Sequence, residues 1–172
     1  MSSIFPSIIW LYGLPGAGKT TLANTLAIKM QEMSIHIKKL DGDDLRLGLN
    51  SNLGFSNTDR LENIRRSAEV AKLFVESETT CICSFITPTN KTRDLVQQIV
   101  GKYRLIDVFV KASLETCRSR DPKGFYRKAE EGLIKNFTGI DSLFEVPENP
   151  HWMVDTEKWS VEECVNYIIE QL

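Results

Sequence analysis

The nine residues GLPGAGKTT, 13–21, constrain this chain more than any other stretch. Gly13, Gly18, Lys19 and Thr20 match G-x-x-x-x-G-K-[ST] at every fixed position, and Gly16 adds a third glycine to the turn. The run IIWLY before it is continuously apolar, as in a strand covered on both faces. After it, Leu22, Leu26 and Met30 recur at helical spacing. A Gly-rich turn from strand to helix directs backbone N–H groups at phosphate oxygens, and the helix N-terminus adds the positive end of its dipole. Leu14, Pro15, Ala17 and Thr21 complete the loop. Lys19 is expected to bridge the β- and γ-phosphates and the Thr20 hydroxyl to hold magnesium, so the loop by itself implies a nucleoside triphosphate with magnesium.

The rest of the chain alternates strands and helices. Strands are expected at 8–13, 35–41, 79–85, 105–112 and 152–156, and helices at 19–33, 56–77, 91–100, 114–120 and 160–172. In the long second helix Ser56 is a candidate cap, and Leu61, Ile64, Ala68, Ala71 and Val75 form the apolar stripe. Such alternation implies an α/β fold: a three-layer, P-loop nucleotide kinase-like domain over residues 1–172. A parallel sheet of about five strands would carry helices on both faces. The charged, Pro- and Gly-bearing segment at about 118–136 reads as a lid. In such sheets ligands bind beyond the carboxyl ends of the strands. The phosphate loop, 41–44, 85–88 and 118–124 all fall there.

Composition narrows the function. A formal charge of −2 lacks the basic excess of a general nucleic-acid binder. The longest apolar runs are too short to span a membrane, and MSSIFPS has no leader pattern. The expected location is the cytoplasm. Cys81, Cys83, Cys117 and Cys164 read as small buried side chains in a reducing compartment. With His36 and His151 the only histidines, no zinc ligand set is formed. A TKxD-type base-recognition motif is absent, so a small-molecule kinase fits better than a switch or a motor.

The second expected strand ends in Asp41, Asp43 and Asp44, with Gly42 allowing a sharp turn. A carboxylate near the γ-phosphate can hold magnesium or its water, or accept the proton of an attacking hydroxyl. Arg46, Arg60, Arg65 and Arg66 follow. Guanidinium forks near a phosphate cradle imply an anionic acceptor. Arg60 and Asn63, three apart, share a helix face. Asp44 and Arg65 are read as solvated surface, and Asp41, Asp43, Arg46 and Arg60 as functional.

Taken together, GLPGAGKTTLA, LDGDDLRLGLNSNLGFSNTDRLENIRR, FITP, RDPKGFYRKA and KNFTGIDSLFEVPENP resemble the adenylylsulfate kinase (APS kinase) family over nearly the whole chain, in order. That resemblance implies phosphorylation of the 3′-hydroxyl of adenosine 5′-phosphosulfate (APS) by MgATP, giving PAPS in sulfate activation. It implies that Phe55 and Phe137 sandwich the acceptor base. Arg46, Arg60 and Asn63, with Lys135, would hold its phosphosulfate and ribose. Ile86 and Thr87 would line the same pocket. Asp41 is implied as base or magnesium-water ligand and Asp43 as orienting the 3′-hydroxyl, with the two roles left open. Lys19 completes the catalytic set. Arg118, Arg120 and Lys123 would belong to the lid, the arginines on ATP and Lys123 toward the acceptor. A homodimer is implied as well.

Three features depart from the family. Thr87 stands where Ser is usual, a Ser that is phosphorylated in some members; the expectation here is direct in-line transfer. Leu47 replaces a usual His or aromatic residue. The chain starts near its first strand, without the basic arm many members carry. The first two departures lie on the acceptor side. They leave as alternative acceptor another nucleotide, such as cytidine diphosphoramidate, since an aromatic sandwich accepts any base. A non-catalytic nucleotide-binding module would typically have lost Lys19 or a strand-end carboxylate, and both are present.

Overall fold

The computed structural model describes residues 5–172; residues 1–4, where the reading of a leaderless N-terminus begins, lie outside the described residues. Its centre is β1 (Ile8–Tyr12), buried along its whole length. β3 (Thr80–Phe85) pairs with one side of it and β4 (Leu105–Lys111) with the other. β2 (Ile37–Asp41) and β5 (Trp152–Asp155) close the edges, giving a parallel five-stranded sheet of order β2-β3-β1-β4-β5.

Alternate residues of β1 face opposite layers, as the period of two requires. Ile9 and Leu11 meet Leu22, Leu26 and Met30 of α1 (Lys19–Glu32) and Val165 and Ile168 of α7 (Val161–Ile169). Ile8, Trp10 and Tyr12 meet Ile64, Ala68 and Ala71 of α3 (Asn57–Glu76) and Val96 and Val100 of α4 (Asn90–Val100). Three layers follow because no face of the central strands is polar. Full burial of each such aliphatic side chain stabilises by about 1.5–3 kcal/mol. The four cysteines are free and buried within these two layers, as read from the sequence. Cys81 and Cys83 share a face, with 3.6 Å between their sulfurs.

Helix starts follow local chemistry. Ser56 caps α3 by accepting from the Asp59 N–H, and capping boxes open α4 at Thr89 and α7 at Ser160. β2 begins two residues later than expected. Ser34 takes a left-handed conformation, and the Ile35 N–H returns to the Met30 carbonyl, so 33–35 still belong to the end of α1. Two short helices, α2 (Gly42–Arg46) and α6 (Phe125–Glu130), stand where the sequence suggested only a turn and a lid. At five and six residues they are too short to show a helical period. Between β4 and α6, α5 (Leu114–Arg120) leads into the lid.

Candidate active site

All five strands point the same way, so their carboxyl ends open onto one edge of the sheet, and a cleft of about 880 Å³ lies there. Its floor is the loop between β1 and α1. A side-chain carbon at Gly13 would come within 2.4 Å of the Val110 carbonyl oxygen, so only glycine passes β4 at this point. Gly18 caps α1 at φ 102 with no side-chain acceptor, and no acidic residue occupies the first turn. The first N–H groups of α1 therefore stay free for an anion. Lys19 is buried, and its Nζ donates to the carbonyls of Gly13 (2.9 Å) and Leu14 (2.7 Å). Burial pushes its pKa down to about 8 against the pull of Asp41 and Asp43.

Asp41 ties three elements together. Oδ1 accepts from the Asp43 N–H and so caps α2, while Oδ2 accepts from the Thr20 hydroxyl (2.8 Å) and the Ser84 hydroxyl (3.1 Å). A carboxylate oxygen beside a hydroxyl is a hard-oxygen set that suits magnesium. Asp43 reaches across the cleft instead, paired with Lys123 of the lid. Asp41, Asp43 and Lys123 all line the cleft.

Beyond α2 the cleft becomes cationic and aromatic. The Arg46 guanidinium lies 4.3 Å from the Phe55 ring centroid and donates to the carbonyls of Leu53 and Gly54. Arg60 is buried and donates to the Phe55 carbonyl, the Thr138 hydroxyl and the Asn136 carbonyl. Asn63 accepts from Asn50 through Oδ1, which leaves its N–H₂ as the group free to serve the cleft. Phe137 lines the cleft with its ring set edge-on to Tyr126, 4.9 Å between centroids. Phe55, Ile86, Thr87 and the exposed Lys135 line it too.

The family profile described as Adenylylsulphate kinase matches residues 5–155. This chain belongs to the adenylylsulfate kinase family. The adenylyl-sulfate kinase of Clostridium kluyveri is 50% identical over 165 residues, which covers 96% of this chain and 82% of that one. That of Bacillus licheniformis is 51% identical over 164 residues, covering 95% and 83%. The structure of the Mycobacterium tuberculosis APS kinase in complex with AMPPNP and APS superposes with a TM-score of 0.93 at 37% identity, covering 96% of both chains.

Within this adenylylsulfate kinase framework most expected site residues converge, and some do not. Arg120 lines the cleft, held by the hydroxyl (3.0 Å) and carbonyl (2.7 Å) of Thr156. Arg118 does not line it; it pairs with Glu130 on α6 and ties the lid to itself. Arg65, read as surface, is exposed and paired with Glu62. Leu47 is 85% exposed and outside the cleft lining, so that departure from the family leaves the wall unchanged. Thr87 is 0% exposed, at φ 44, and its hydroxyl accepts from the Trp10 indole N–H at 2.8 Å.

Several lining residues were not anticipated. Thr156, Trp159, Val161 and Cys164 close the end of the cleft beside Arg120. The Thr156 hydroxyl also donates to the Ala17 carbonyl, so β5 braces the phosphate loop. The rule that placed ligands beyond strand ends could have pointed to Thr156, which directly follows β5. Ser84 and Asn50 carried no signal, because serine and asparagine in neutral surroundings are ordinary. Among the described residues no helix is long and apolar enough to cross a membrane.

Proposed function

We propose that this chain transfers the γ-phosphoryl group of ATP to the 3′-hydroxyl of adenosine 5′-phosphosulfate, giving PAPS and ADP. The observation that carries this reading is one continuous cleft. A phosphate loop forms one half, an arginine- and phenylalanine-lined pocket forms the other, and Asp41 and Asp43 stand at their junction.

The loop N–H groups and Lys19 hold the β- and γ-phosphates. On nucleotide binding the Lys19 ammonium exchanges the Gly13 and Leu14 carbonyls for phosphate oxygens. Thr20 and Asp41 would hold magnesium, which neutralises charge on the transferring phosphate. Arg46, Arg60, Asn63 and Lys135 take the phosphosulfate and ribose of the acceptor, and Phe55 and Phe137 take its base. Asp41 is occupied by three donors and serves as an anchor. Asp43 is exposed at the cleft and accepts the proton of the attacking 3′-hydroxyl, and Lys123 orients it. The O3′–phosphorus bond forms as the bond to the β-γ bridging oxygen breaks. Arg120 and the segment 118–136 close over ATP and exclude water. Transfer is direct, because the Thr87 hydroxyl is buried and already engaged.

The chain is assigned to the cytoplasm, where its nucleotides are, and to a homodimer on the strength of the family resemblance alone. An ADP-release assay with MgATP, offering APS and cytidine diphosphoramidate in parallel, tests the reading. Turnover with APS is expected. Turnover with the cytidine nucleotide alone would keep the 3′-transfer and overturn the acceptor.

A further inference from the structure

We propose that Arg93 is a positioning residue for the acceptor, clamping from behind the two chain segments that form the far wall of its pocket. The inference rests on the acceptor reading above. Arg93 lies on α4, outside the cleft lining. Its Nη1 donates to the Thr87 carbonyl at 3.1 Å, and its Nη2 donates to the Glu145 carbonyl at 2.8 Å and to Asn90 Oδ1 at 2.6 Å. The guanidinium stands 5.3 Å from the Tyr12 ring centroid.

The two carbonyls belong to segments that lie outside any helix or strand. One is the loop after β3, which presents Ile86 and Thr87. The other is the chain after the lid, which presents Phe137 and Thr138 and runs on to Glu145. Two further links stitch the same seam: the Glu145 N–H donates to the Pro88 carbonyl, and the Glu145 carboxylate accepts from the Asn90 N–H. Arg60 grips the second segment from the cleft side, through Thr138 and Asn136. The acceptor wall is thus held between two arginines, one that faces substrate and one that does not.

Thr87 shows why the clamp is needed. A β-branched residue at φ 44 is strained, and such strain persists only where the surroundings over-determine it. Trp10 fixes the Thr87 hydroxyl and Arg93 fixes its carbonyl. Hydrogen bonds from a guanidinium to these part-buried carbonyls are charge-assisted and hold direction well. The hollow beside Arg93, lined also by Trp10, Tyr12 and Asp107, measures about 10 Å³ and has room for no more than a water. Arg93 therefore acts on the pocket wall and not on a ligand of its own.

The test is steady-state kinetics of Arg93→Gln and Arg93→Lys beside the unsubstituted protein, with hydrogen exchange on all three. Arg93→Gln is expected to raise the KM for the acceptor about tenfold or more, with the KM for ATP changed less than about twofold. Arg93→Lys keeps a charge that reaches one carbonyl and falls between. Exchange is expected to rise at 86–89 and 137–145 together, with the phosphate loop unchanged. Equal rises in both KM values, or a lowered melting temperature with both KM values intact, would reduce Arg93 to scaffold and overturn the inference. Failure of the unsubstituted protein to turn over APS would overturn the acceptor reading instead. In that case the exchange pattern alone decides the clamp, and unchanged protection at both segments would refute it.

Discussion

The indole N–H of Trp10 donates to the Thr87 hydroxyl across 2.8 Å, from the central strand to the loop after β3, and both side chains are buried. A hydroxyl in that position serves structure. Thr87→Ala is expected to keep most of the turnover, and no phosphothreonine should be detectable by mass spectrometry after turnover. Leaving the Trp10 N–H without a partner costs about 1–3 kcal/mol, so thermal unfolding should move down by several degrees. A trapped phosphothreonine together with an inactive Thr87→Ala protein would contradict direct transfer.

The two strand-end carboxylates should separate by experiment. Asp43→Asn is expected to lower kcat by about 10²- to 10⁴-fold, the range for loss of a general base, with the magnesium requirement unchanged. Asp41→Ala breaks the contact with Thr20 and Ser84. It should lower kcat and also raise the magnesium concentration needed for half-maximal rate. Magnesium titrations of both variants check this; the opposite pattern would exchange the two roles.

Phe137→Ala should weaken the acceptor more than ATP. Base stacking is worth about 1–3 kcal/mol, so the acceptor dissociation constant should rise about five- to 150-fold. Calorimetric titration with each substrate separates the effects. Equal losses would mean that Phe137, edge-on to Tyr126, supports the fold and not the base.

Lys19 makes nucleotide binding depend on pH. Burial lowers its pKa from 10.5 to about 8 in the free protein. Between about pH 8 and 10.5 the folded protein therefore binds fewer protons at this site than the unfolded chain. The Lys19 contribution to stability consequently rises with pH across that window. Phosphate favours the charged form, so ATP binding above about pH 8 should take up a proton and weaken as pH increases. Calorimetry at pH 8.5 in buffers of different ionisation enthalpy reads the uptake directly, and Lys19→Met should abolish it.

Legibility followed contiguity. Residues 13–21 form the donor floor and lie together in the chain, so both the motif and its strand-to-helix context could be read. Asp41, Asp43 and Arg46 were legible for the same reason, although the helix that spaces them was too short to show a period. Arg118 illustrates the opposite case. Its charge in a lid suggested ATP, but the turn of α5 aims it at Glu130. The Asn50 side chain bonds Asn63, and Thr156 bonds the phosphate loop and Arg120, so neither shows its purpose without its neighbour.

The sequence by itself determined the class of fold, the phosphate loop and the cluster of carboxylates and arginines that follows β2. Each depends on local pattern: period, glycine placement, and clustered charge. The tertiary structure decided which residues hold the site open. Trp10 reaches Thr87 across 77 positions of chain, Arg60 reaches Thr138 across 78, and Lys123 reaches Asp43 across 80. Such pairs have no sequence period. They exist because a parallel sheet brings distant strand ends to one edge, where buried polar groups must find partners and strained loops must be held.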